Sequence, residues 1–418
     1  MNPATWLADC LSHRVKEVVK PIYSGPVIAS AGIWRRQVLR RTRFIGITGS
    51  AGKTTTKDML YEVLAATFPA AKSHDSNNEL YNVARTLIGV LPRTRYCVQE
   101  IGASEPGALD PMLALYRPDI GIVTNVGEDH YKSFRGPDAV AAEKRKLIAS
   151  LPPDGIAVLN ADDARVLQMA SASRARIVTF GTSRGVDLLA ESIESQWPNR
   201  LRLRVQWKDE VENIQTQLNG RHQAGCVTAA LATACALNVP LRVAARVIER
   251  FQAYTARMSV LETSGGVTFL RDDFKAPWWS LPLSIDFVAA AKAERKVIVL
   301  ATISDYGGNA RAIYRRAAAL ALAAADQVIL IGARAKSLEE HFSATAGGRL
   351  LAFATVQDAA VHLRATARRG DFILLKGSCS DHLSRIALLF DRKVNCWLTS
   401  CKRQVFCEQC HLLTARRS

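Results

Sequence analysis

Gly49-Ser50-Ala51-Gly52-Lys53-Thr54-Thr55-Thr56 follows directly on the apolar run Phe44-Ile45-Gly46-Ile47. This order indicates a buried strand, then a glycine turn, then the start of a helix. Glycines let backbone N–H groups approach a phosphate chain, while Lys53 places a cation on the outer phosphates and Thr54 offers a hydroxyl to Mg²⁺. The stretch therefore predicts a site for a nucleoside triphosphate with Mg²⁺.

The generic phosphate-loop motif is matched only in its second half, because Ile47 stands where the full motif has a glycine. A glycine-rich strand-to-helix turn that carries an ordinary lysine is the alternative interpretation. The spacing of Gly52, Lys53 and Thr54 favours phosphate binding.

Along the chain, short apolar runs alternate with Ala- and Leu-rich segments of helical period. Strands are predicted near 44–48, 96–100, 119–124, 156–159, 297–302, 327–331 and 371–375, and helices at 53–67, 79–90, 138–150, 222–237, 241–252, 308–325 and 356–368. This alternation is typical of an α/β fold, here a P-loop doubly wound parallel sheet with a second Rossmann-like α/β domain. Segment 186–218 instead alternates apolar and polar residues and predicts antiparallel strands.

Length and composition set the domain organisation that we expect. The chain has 418 residues, of which 48% are hydrophobic and 22% charged, as in globular proteins with more than one domain. We expect a basic helical N-terminal segment at 1–43, a nucleotide-binding domain at 44–254, a second α/β domain at 255–390 and a Cys-rich basic tail at 391–418. Nine cysteines and the lack of a cleavable signal pattern favour a cytoplasmic protein.

The net charge of +17 attracts polyanions nonspecifically. The basic residues are nevertheless spread along the chain, without an aromatic-interleaved RNA motif, so no specific nucleic-acid partner is expected. A basic cluster in the N-terminal segment is compatible with weak contact with an anionic membrane surface; it comprises Arg35, Arg36, Arg40, Arg41 and Arg43. The oligomeric state is left open.

Polar side chains follow two further predicted strands. Glu100 ends the strand at 96–100, and the stretch Thr124-Asn125-Val126-Gly127-Glu128-Asp129-His130 follows the next one. Side chains at the carboxyl end of a central parallel strand face the ligand crevice, where Mg²⁺ takes hard oxygen ligands. A metal or water-positioning role is thus predicted for Glu100, with helix capping as the alternative.

Taken together, these motifs resemble those of the Mur ligase family, ATP-dependent enzymes that join an amino acid or peptide to a carboxylate in bacterial cell-wall synthesis. The resemblance runs from about 44 to 390 and includes Ser76-Asn77-Asn78-Glu79 ahead of a helix. It implies Mg²⁺ ligands at Thr54, Glu100 and His130. It also implies that Lys144 is carbamoylated, which converts a cation into an oxygen ligand for a second Mg²⁺.

The resemblance also implies a set of ATP-binding residues: Gly49, Ser50, Ala51, Gly52, Lys53, Thr54, Thr55, Asn125, His222, Arg257, Asp272 and Asp273. His222 lies at a helix start expected near the adenine, although a histidine at such a position is by itself more often a helix-capping or core residue. Arg257 is expected to reach the γ-phosphate of ATP if the domains close. Lys275 and Lys376 are the expected substrate-binding lysines, Lys376 by attracting a carboxylate.

Two departures from the family concern the substrates. In the branch that adds D-alanyl-D-alanine, Asp272 and Asp273 would be followed by a tyrosine and asparagines, but here Lys275, Trp278 and Trp279 change charge and shape. The tryptophan pair is equally compatible with core packing. Only about 43 residues precede the first strand, too few for a UDP-sugar domain, so we expect an acceptor other than a UDP-muramyl peptide.

Near the C-terminus, four cysteines follow the spacing C-x4-C-x5-C-x2-C; they are Cys396, Cys401, Cys407 and Cys410. Four soft ligands suit tetrahedral zinc, and free thiols in a basic tail are the alternative.

The function favoured by these features is ATP-dependent ligation of a small-molecule or peptide carboxylate to an amine through an acyl phosphate. The catalytic residues would be Lys53, Glu100, His130, Lys144 and Arg257. A nonligating ATP-binding regulatory or assembly subunit is the alternative, suggested by the short N-terminus and the Cys-rich tail. An ATPase motor is disfavoured because His130 and Lys144 would have no role in it.

Overall fold

The computed structural model describes residues 13–76, 78–128, 130–399, 401 and 406–415, with side chains from residue 24 onward. Asn77 and Asp129, which belong to the motifs quoted above, lie outside the described residues. The strands are β1 (Arg43–Thr48), β2 (Ala70–Lys72), β3 (Tyr96–Glu100), β4 (Ile120–Val123), β5 (Ile156–Asn160), β6 (Arg176–Gly181), β7 (Leu188–Glu194), β8 (Arg202–Trp207), β9 (Glu210–Gln215), β10 (Ser259–Glu262), β11 (Thr268–Asp272), β12 (Arg295–Leu300), β13 (Gln327–Ile331), β14 (Leu350–Phe353) and β15 (Asp371–Lys376).

The helices are α1 (His13–Gln37), α2 (Lys53–Ala65), α3 (Leu80–Gly89), α4 (Leu109–Tyr116), α5 (Tyr131–Phe134), α6 (Pro137–Ala149), α7 (Ala164–Gln168), α8 (Ala224–Ala236), α9 (Leu241–Arg250), α10 (Leu281–Ala290), α11 (Ala310–Ala324), α12 (Ala335–Ala346), α13 (Val356–Thr366) and α14 (Ser384–Leu388). All predicted strands and helices are present, with ends shifted by one or two residues, the usual uncertainty of element ends. α10 was not predicted because it is apolar on most faces and shows no helical period.

The first sheet has nine strands in the order β2-β3-β1-β4-β5-β6-β7-β8-β9. Its strands are parallel from β2 to β7, whereas β8 pairs antiparallel with both β7 and β9. The antiparallel prediction for 186–218 is therefore confirmed. Two apolar clusters bury this sheet, one with α2 and α8, the other with α3, α4 and α6.

The second sheet has six strands in the order β10-β11-β15-β12-β13-β14, all parallel except the β10–β11 pair. Apolar helices cover both faces of this sheet. The α/β fold with a doubly wound P-loop sheet and a second α/β unit is thereby confirmed.

The strand order places the phosphate loop between two polar strand ends. β1 pairs with β3 on one side, where Ile47 is in register with Glu100, and with β4 on the other. Parallel pairing brings the carboxyl ends of all three strands to one edge of the sheet. The residues after β1, β3 and β4 therefore meet at that edge.

Helix α1 belongs to the segment predicted to be helical and basic, and it packs on α3 and α4. Arg35 lies inward: its guanidinium stacks 3.8 Å from the Phe44 ring centroid and its Nε donates to Tyr116 O at 2.9 Å. The Arg35 side chain is thus engaged within the fold, whereas Arg36, Arg40 and Arg41 are exposed. Weak contact of this basic cluster with an anionic membrane surface stays a prediction. No helix in the described ranges is long and apolar enough to cross a membrane.

Tyr116 offers a test of how α4 is tied to the sheet. Its buried hydroxyl donates to Cys97 O at 2.7 Å and lies 3.2 Å from Ile45 O. Tyr116→Phe removes a buried hydrogen bond from α4 to the sheet, so we expect the free energy of unfolding to fall by about 1 kcal/mol in urea titrations. Tyr61→Phe, a control on the helix α2 surface, should change it by less than about 0.5 kcal/mol; equal losses in both variants would contradict the assignment.

Candidate active site

The phosphate loop is shaped by Gly52, whose φ of 79° lies in the left-handed region. Helix α2 begins at the next residue, and the N–H groups of a first helical turn have no partners within the helix. Lys53 Nζ folds back over the loop and donates to Gly49 O at 2.7 Å. The loop thus offers a helix N-terminus and a lysine at one place, as phosphate binding requires.

Asn125, which follows β4, holds the loop from the other side. Its Oδ1 accepts from Ser50 N at 3.1 Å and from Ala51 N at 2.8 Å. Gly127 N donates to Ser50 Oγ at 2.8 Å, which adds a second link between the two loops. Asn125 therefore contacts the loop backbone directly, at the edge of the sheet where the sequence placed it.

A cluster of hard oxygen atoms adjoins the loop. Thr54 Oγ1 donates to Glu100 Oε2 at 2.7 Å and lies 3.2 Å from Ser76 Oγ, and Asn78 Nδ2 donates to Glu100 Oε1 at 3.0 Å. Glu100 is only 2% exposed and is the N-cap of none of the described helices. Hydroxyl and carboxylate oxygens in this proximity are the donor set that Mg²⁺ prefers, so the residues present fit the ion.

Arg257 reaches this cluster from the second half of the chain. One of its terminal nitrogens donates to Ser76 Oγ at 3.2 Å, and its Nε is buried with no hydrogen-bond partner. We expected contact only after domain closure, but the guanidinium already lies beside the residue that contacts Thr54. The reason is that the turn before β10 carries Arg257 towards the loop that contains Ser76.

His130 and Lys144 belong to the segments that follow β4, which is the neighbour of β1 on the side away from β3. His130 follows β4 and precedes α5 with a φ of 49°, and Lys144 is on α6, the helix that packs on β1 and β4. Lys144 is 1% exposed, which is rare for a lysine. The metal-binding roles of both residues stay predictions.

Three predicted ligand-binding residues of the second half are engaged with other side chains of the protein. Lys376 Nζ lies 2.6 Å from Asp272 Oδ2, and Arg271 holds both carboxylate oxygens of Asp273 at 2.8 and 3.1 Å. Burial raises the pKa of Asp273, and the Arg271 guanidinium opposes that rise. Roles for Asp272, Asp273 and Lys376 in ligand binding stay predictions. Lys275 is exposed, and its role in substrate binding also stays a prediction.

His222 and the tryptophans lie at the boundary between the two sheets. Burial lowers the pKa of His222, with the Asp272 carboxylate opposing that effect. Trp278 packs in the core of the second sheet, whereas the Trp279 ring lies so near Gly127 that a Cβ there would be 3.1 Å from it. Trp278 therefore serves in core packing, whereas Trp279 contacts the loop after β4.

Several residues that support the site were missed or left without a role. Lys57 is fully buried and donates to Ser73 O at 2.9 Å and to Asp75 O, and burial lowers its pKa. Asp163 caps α7 and accepts from Val126 N at 2.7 Å, which fixes the loop after β4. In the sequence, Lys57 resembles an ordinary helix lysine, and the run Asn160-Ala161-Asp162-Asp163 taken alone is a polar turn at a strand end.

The four tail cysteines line one small cavity together with His382 and Arg385. Among the described residues no three His, Cys, Asp or Glu side chains are grouped as metal ligands, so the zinc prediction is not supported. Cys407 Sγ lies 3.5 Å from His382 Nδ1 and accepts from Arg385 Nε at 3.4 Å, and burial raises the pKa of its thiol.

Comparison with known proteins agrees with this geometry. The family model described as Mur ligase middle domain matches residues 47–234, and that described as Mur ligase, glutamate ligase domain matches 256–379. The UDP-N-acetylmuramoyl-tripeptide--D-alanyl-D-alanine ligase of Mycobacterium tuberculosis (strain ATCC 25618 / H37Rv) is 30% identical over 371 residues, which cover 82% of this chain and 72% of that protein. The enzyme of the same name from Bacillus subtilis (strain 168) is 25% identical, over 82% of this chain and 75% of its own length.

Solved structures show the same fold. MurF from Acinetobacter baumannii matches with a TM-score of 0.80 at 23% identity, over 88% of this chain and 80% of that one. The MurF ligase from Thermotoga maritima in complex with ADP matches with a TM-score of 0.75 at 20% identity, over 88% and 83%. The chain belongs to the Mur ligase family and is an ATP-dependent ligase that forms an amide bond.

Proposed function

We propose that this ligase joins the amine of a D-alanyl-D-alanine-type dipeptide to the carboxylate of a peptide acceptor. The substrate class rests on the printed activity of the relatives, and the position of the reaction rests on the contact of Thr54 with Glu100 and Ser76 beside the phosphate loop. The nonligating alternative is not favoured, because the relatives are ligases and Lys53, Thr54 and Glu100 lie together at the phosphate loop.

In the proposed reaction an acceptor carboxylate oxygen attacks the γ-phosphorus of ATP, and the bond to ADP breaks. The amine nitrogen then attacks the acyl phosphate carbon, phosphate leaves and the amine loses a proton. Lys53 would exchange its bond to Gly49 O for a stronger, charge-assisted bond to a phosphate oxygen. Arg257, already at Ser76, would offset the charge that develops on the transferred phosphoryl group.

We assign Mg²⁺ to the oxygen cluster of Thr54 and Glu100, and a second Mg²⁺ to His130 with carbamoylated Lys144. Bound Mg²⁺ would neutralise phosphate charge and orient the γ-phosphoryl group. Deep burial sets Lys144 apart from an ordinary surface lysine, and this is the feature that supports the carbamate. A cytoplasmic location is proposed because ATP is consumed and all eight described cysteines are free thiols.

Lys53 provides the direct test of the reaction. With ATP, Mg²⁺, D-alanyl-D-alanine and a pool of peptide carboxylates that includes UDP-muramyl tripeptide, we expect ADP release together with a new amide mass. Lys53→Ala should lower ADP release by about 10³-fold, because phosphate charge loses its cation. Lys336→Ala, which alters an exposed surface pair, should have no effect. Undiminished ADP release by Lys53→Ala would refute the mechanism.

Gly52 tests whether the loop must keep its observed shape. An alanine at this position would have to adopt a positive φ, and its Cβ would lie 2.8 Å from Cys226 Sγ. Burial raises the pKa of that thiol to about 11. We expect Gly52→Ala to weaken ATP binding by about tenfold or more in calorimetric titrations. Adding Cys226→Ala should restore part of the affinity by removing the clash alone.

Gly225→Ala is the matched control for the Gly52 variants, because a Cβ there has no neighbour within 4 Å. Its ATP affinity should equal that of the parent protein. If Gly52→Ala binds ATP as tightly as this control, the loop is not the phosphate site.

Lys144→Arg tests the carbamate. Arginine keeps the positive charge but forms no carbamate oxygen ligand, so turnover should fall by about 10²-fold or more while the protein stays folded. Peptide mass spectrometry under bicarbonate should find the mass of CO₂ added to Lys144 of the parent protein. Lys146→Arg on the same helix, where the side chain pairs with Asp110, should retain turnover. Full turnover of Lys144→Arg would exclude the modification as a requirement.

A further inference from the structure

The C-terminal tail packs against the second half of the fold. Leu388, Val394, Cys407 and Leu413 form a small buried cluster of their own. The matched family segment ends at residue 379, so these tail contacts lie beyond it. The tail is held to the second half of the chain by apolar packing.

One tail side chain extends beyond this cluster towards the candidate active site. The Phe406 ring centroid lies 6.1 Å from that of Tyr254 and 6.0 Å from that of Phe274, and the last two are 6.3 Å apart. Such distances are typical of interacting aromatic pairs, so the three rings form a closed triangle. We call Tyr254, Phe274 and Phe406 the ring triangle.

Arg257 packs on this ring triangle. Its guanidinium carbon lies 4.4 Å from the Phe274 centroid and 5.8 Å from the Tyr254 centroid, within the range of cation–π attraction. The Tyr254 hydroxyl donates to Asp75 Oδ1 at 3.1 Å, next to Ser76, which Arg257 contacts. The rings thus connect the arginine to the loop that it reaches.

A second tail residue holds the same strand end. Glu408 pairs with Arg271, whose other nitrogens grip Asp273, the residue before Phe274. The side chains of Arg271 and Asp273 are both 4% exposed, so the ion pair between these two residues is shielded from solvent. Loss of Glu408 would leave a buried guanidinium with one carboxylate partner in place of two.

We propose that Phe406 and Glu408 are positioning residues for Arg257, and that the tail preorganises this arginine for the γ-phosphoryl group. The inference rests on the proposed role of Arg257. An arginine side chain loses considerable rotamer entropy when it is ordered, so packing that orders it beforehand strengthens the contact with its ligand. Phe406 acts through the rings and does not contact the ligand itself.

The test compares equilibrium affinities for Mg·ATP and Mg·ADP, because only ATP carries the γ-phosphoryl group. Arg257→Ala should weaken Mg·ATP binding about tenfold and leave Mg·ADP binding unchanged. Phe406→Ala should give the same selective loss at about three- to fivefold. In the double variant Phe406→Ala should add nothing to Arg257→Ala, because a positioning residue has no effect once its target is gone.

Phe390→Ala is the matched control, since that ring packs on Phe269 and is absent from the ring triangle. It should leave the ratio of the two affinities unchanged, and Phe406→Tyr should retain the parent ratio. If Phe406→Ala does not fold by circular dichroism, Phe406→Leu and Glu408→Gln are measured in its place, with the same expected selectivity.

The outcomes separate the two proposals. An unchanged ratio for Arg257→Ala would overturn the proposed role of the arginine itself. A normal ratio for the Phe406 and Glu408 variants, with a changed ratio for Arg257→Ala, would overturn the positioning role of the tail. Equal losses for both nucleotides, or additive losses in the double variant, would show a merely structural role and overturn it too.

Discussion

The candidate site depends on the hydrogen bond from the Thr54 hydroxyl to the buried Glu100 carboxylate. This 2.7 Å contact joins the first turn of α2 to the end of β3, across the strand that leads into the phosphate loop. A buried carboxylate needs hydrogen-bond donors, and the side chains of Thr54 and Asn78 donate to Glu100. Ser76 and then Arg257 extend the same chain of contacts.

Much of the remaining structure serves to keep that edge of the sheet in place. Asn125 occupies two backbone N–H groups of the loop, and Asp163 fixes the segment that carries Asn125. Lys57 holds the segment before Ser76 by donating to two carbonyls from a fully buried position. These contacts hold the loop, which limits the reorganisation needed when a phosphate binds.

Contacts between the two sheets explain how residues of the second half reach the loop. Trp279 lies against Gly127, and Gly307 faces Tyr131 so closely that a Cβ there would be 2.5 Å from the Tyr131 ring. Together with Arg257 at Ser76, these contacts give a closed arrangement. In the proposed reaction, such contacts would exclude water from the acyl phosphate and orient the attacking amine.

The sequence by itself determined the α/β architecture, the phosphate loop and the family, because apolar periodicity and loop spacing are local properties. The sequence also predicted correctly that Glu100 and Asn125 lie near the loop, since the carboxyl ends of parallel strands meet at one edge of a sheet. The tertiary structure alone decided that Arg257 meets Ser76, 181 residues away, that Asp273 is held by Arg271, and that Phe406 joins the ring triangle. The partner of a charged or aromatic side chain depends on how distant elements pack, and a local sequence pattern does not predict that packing.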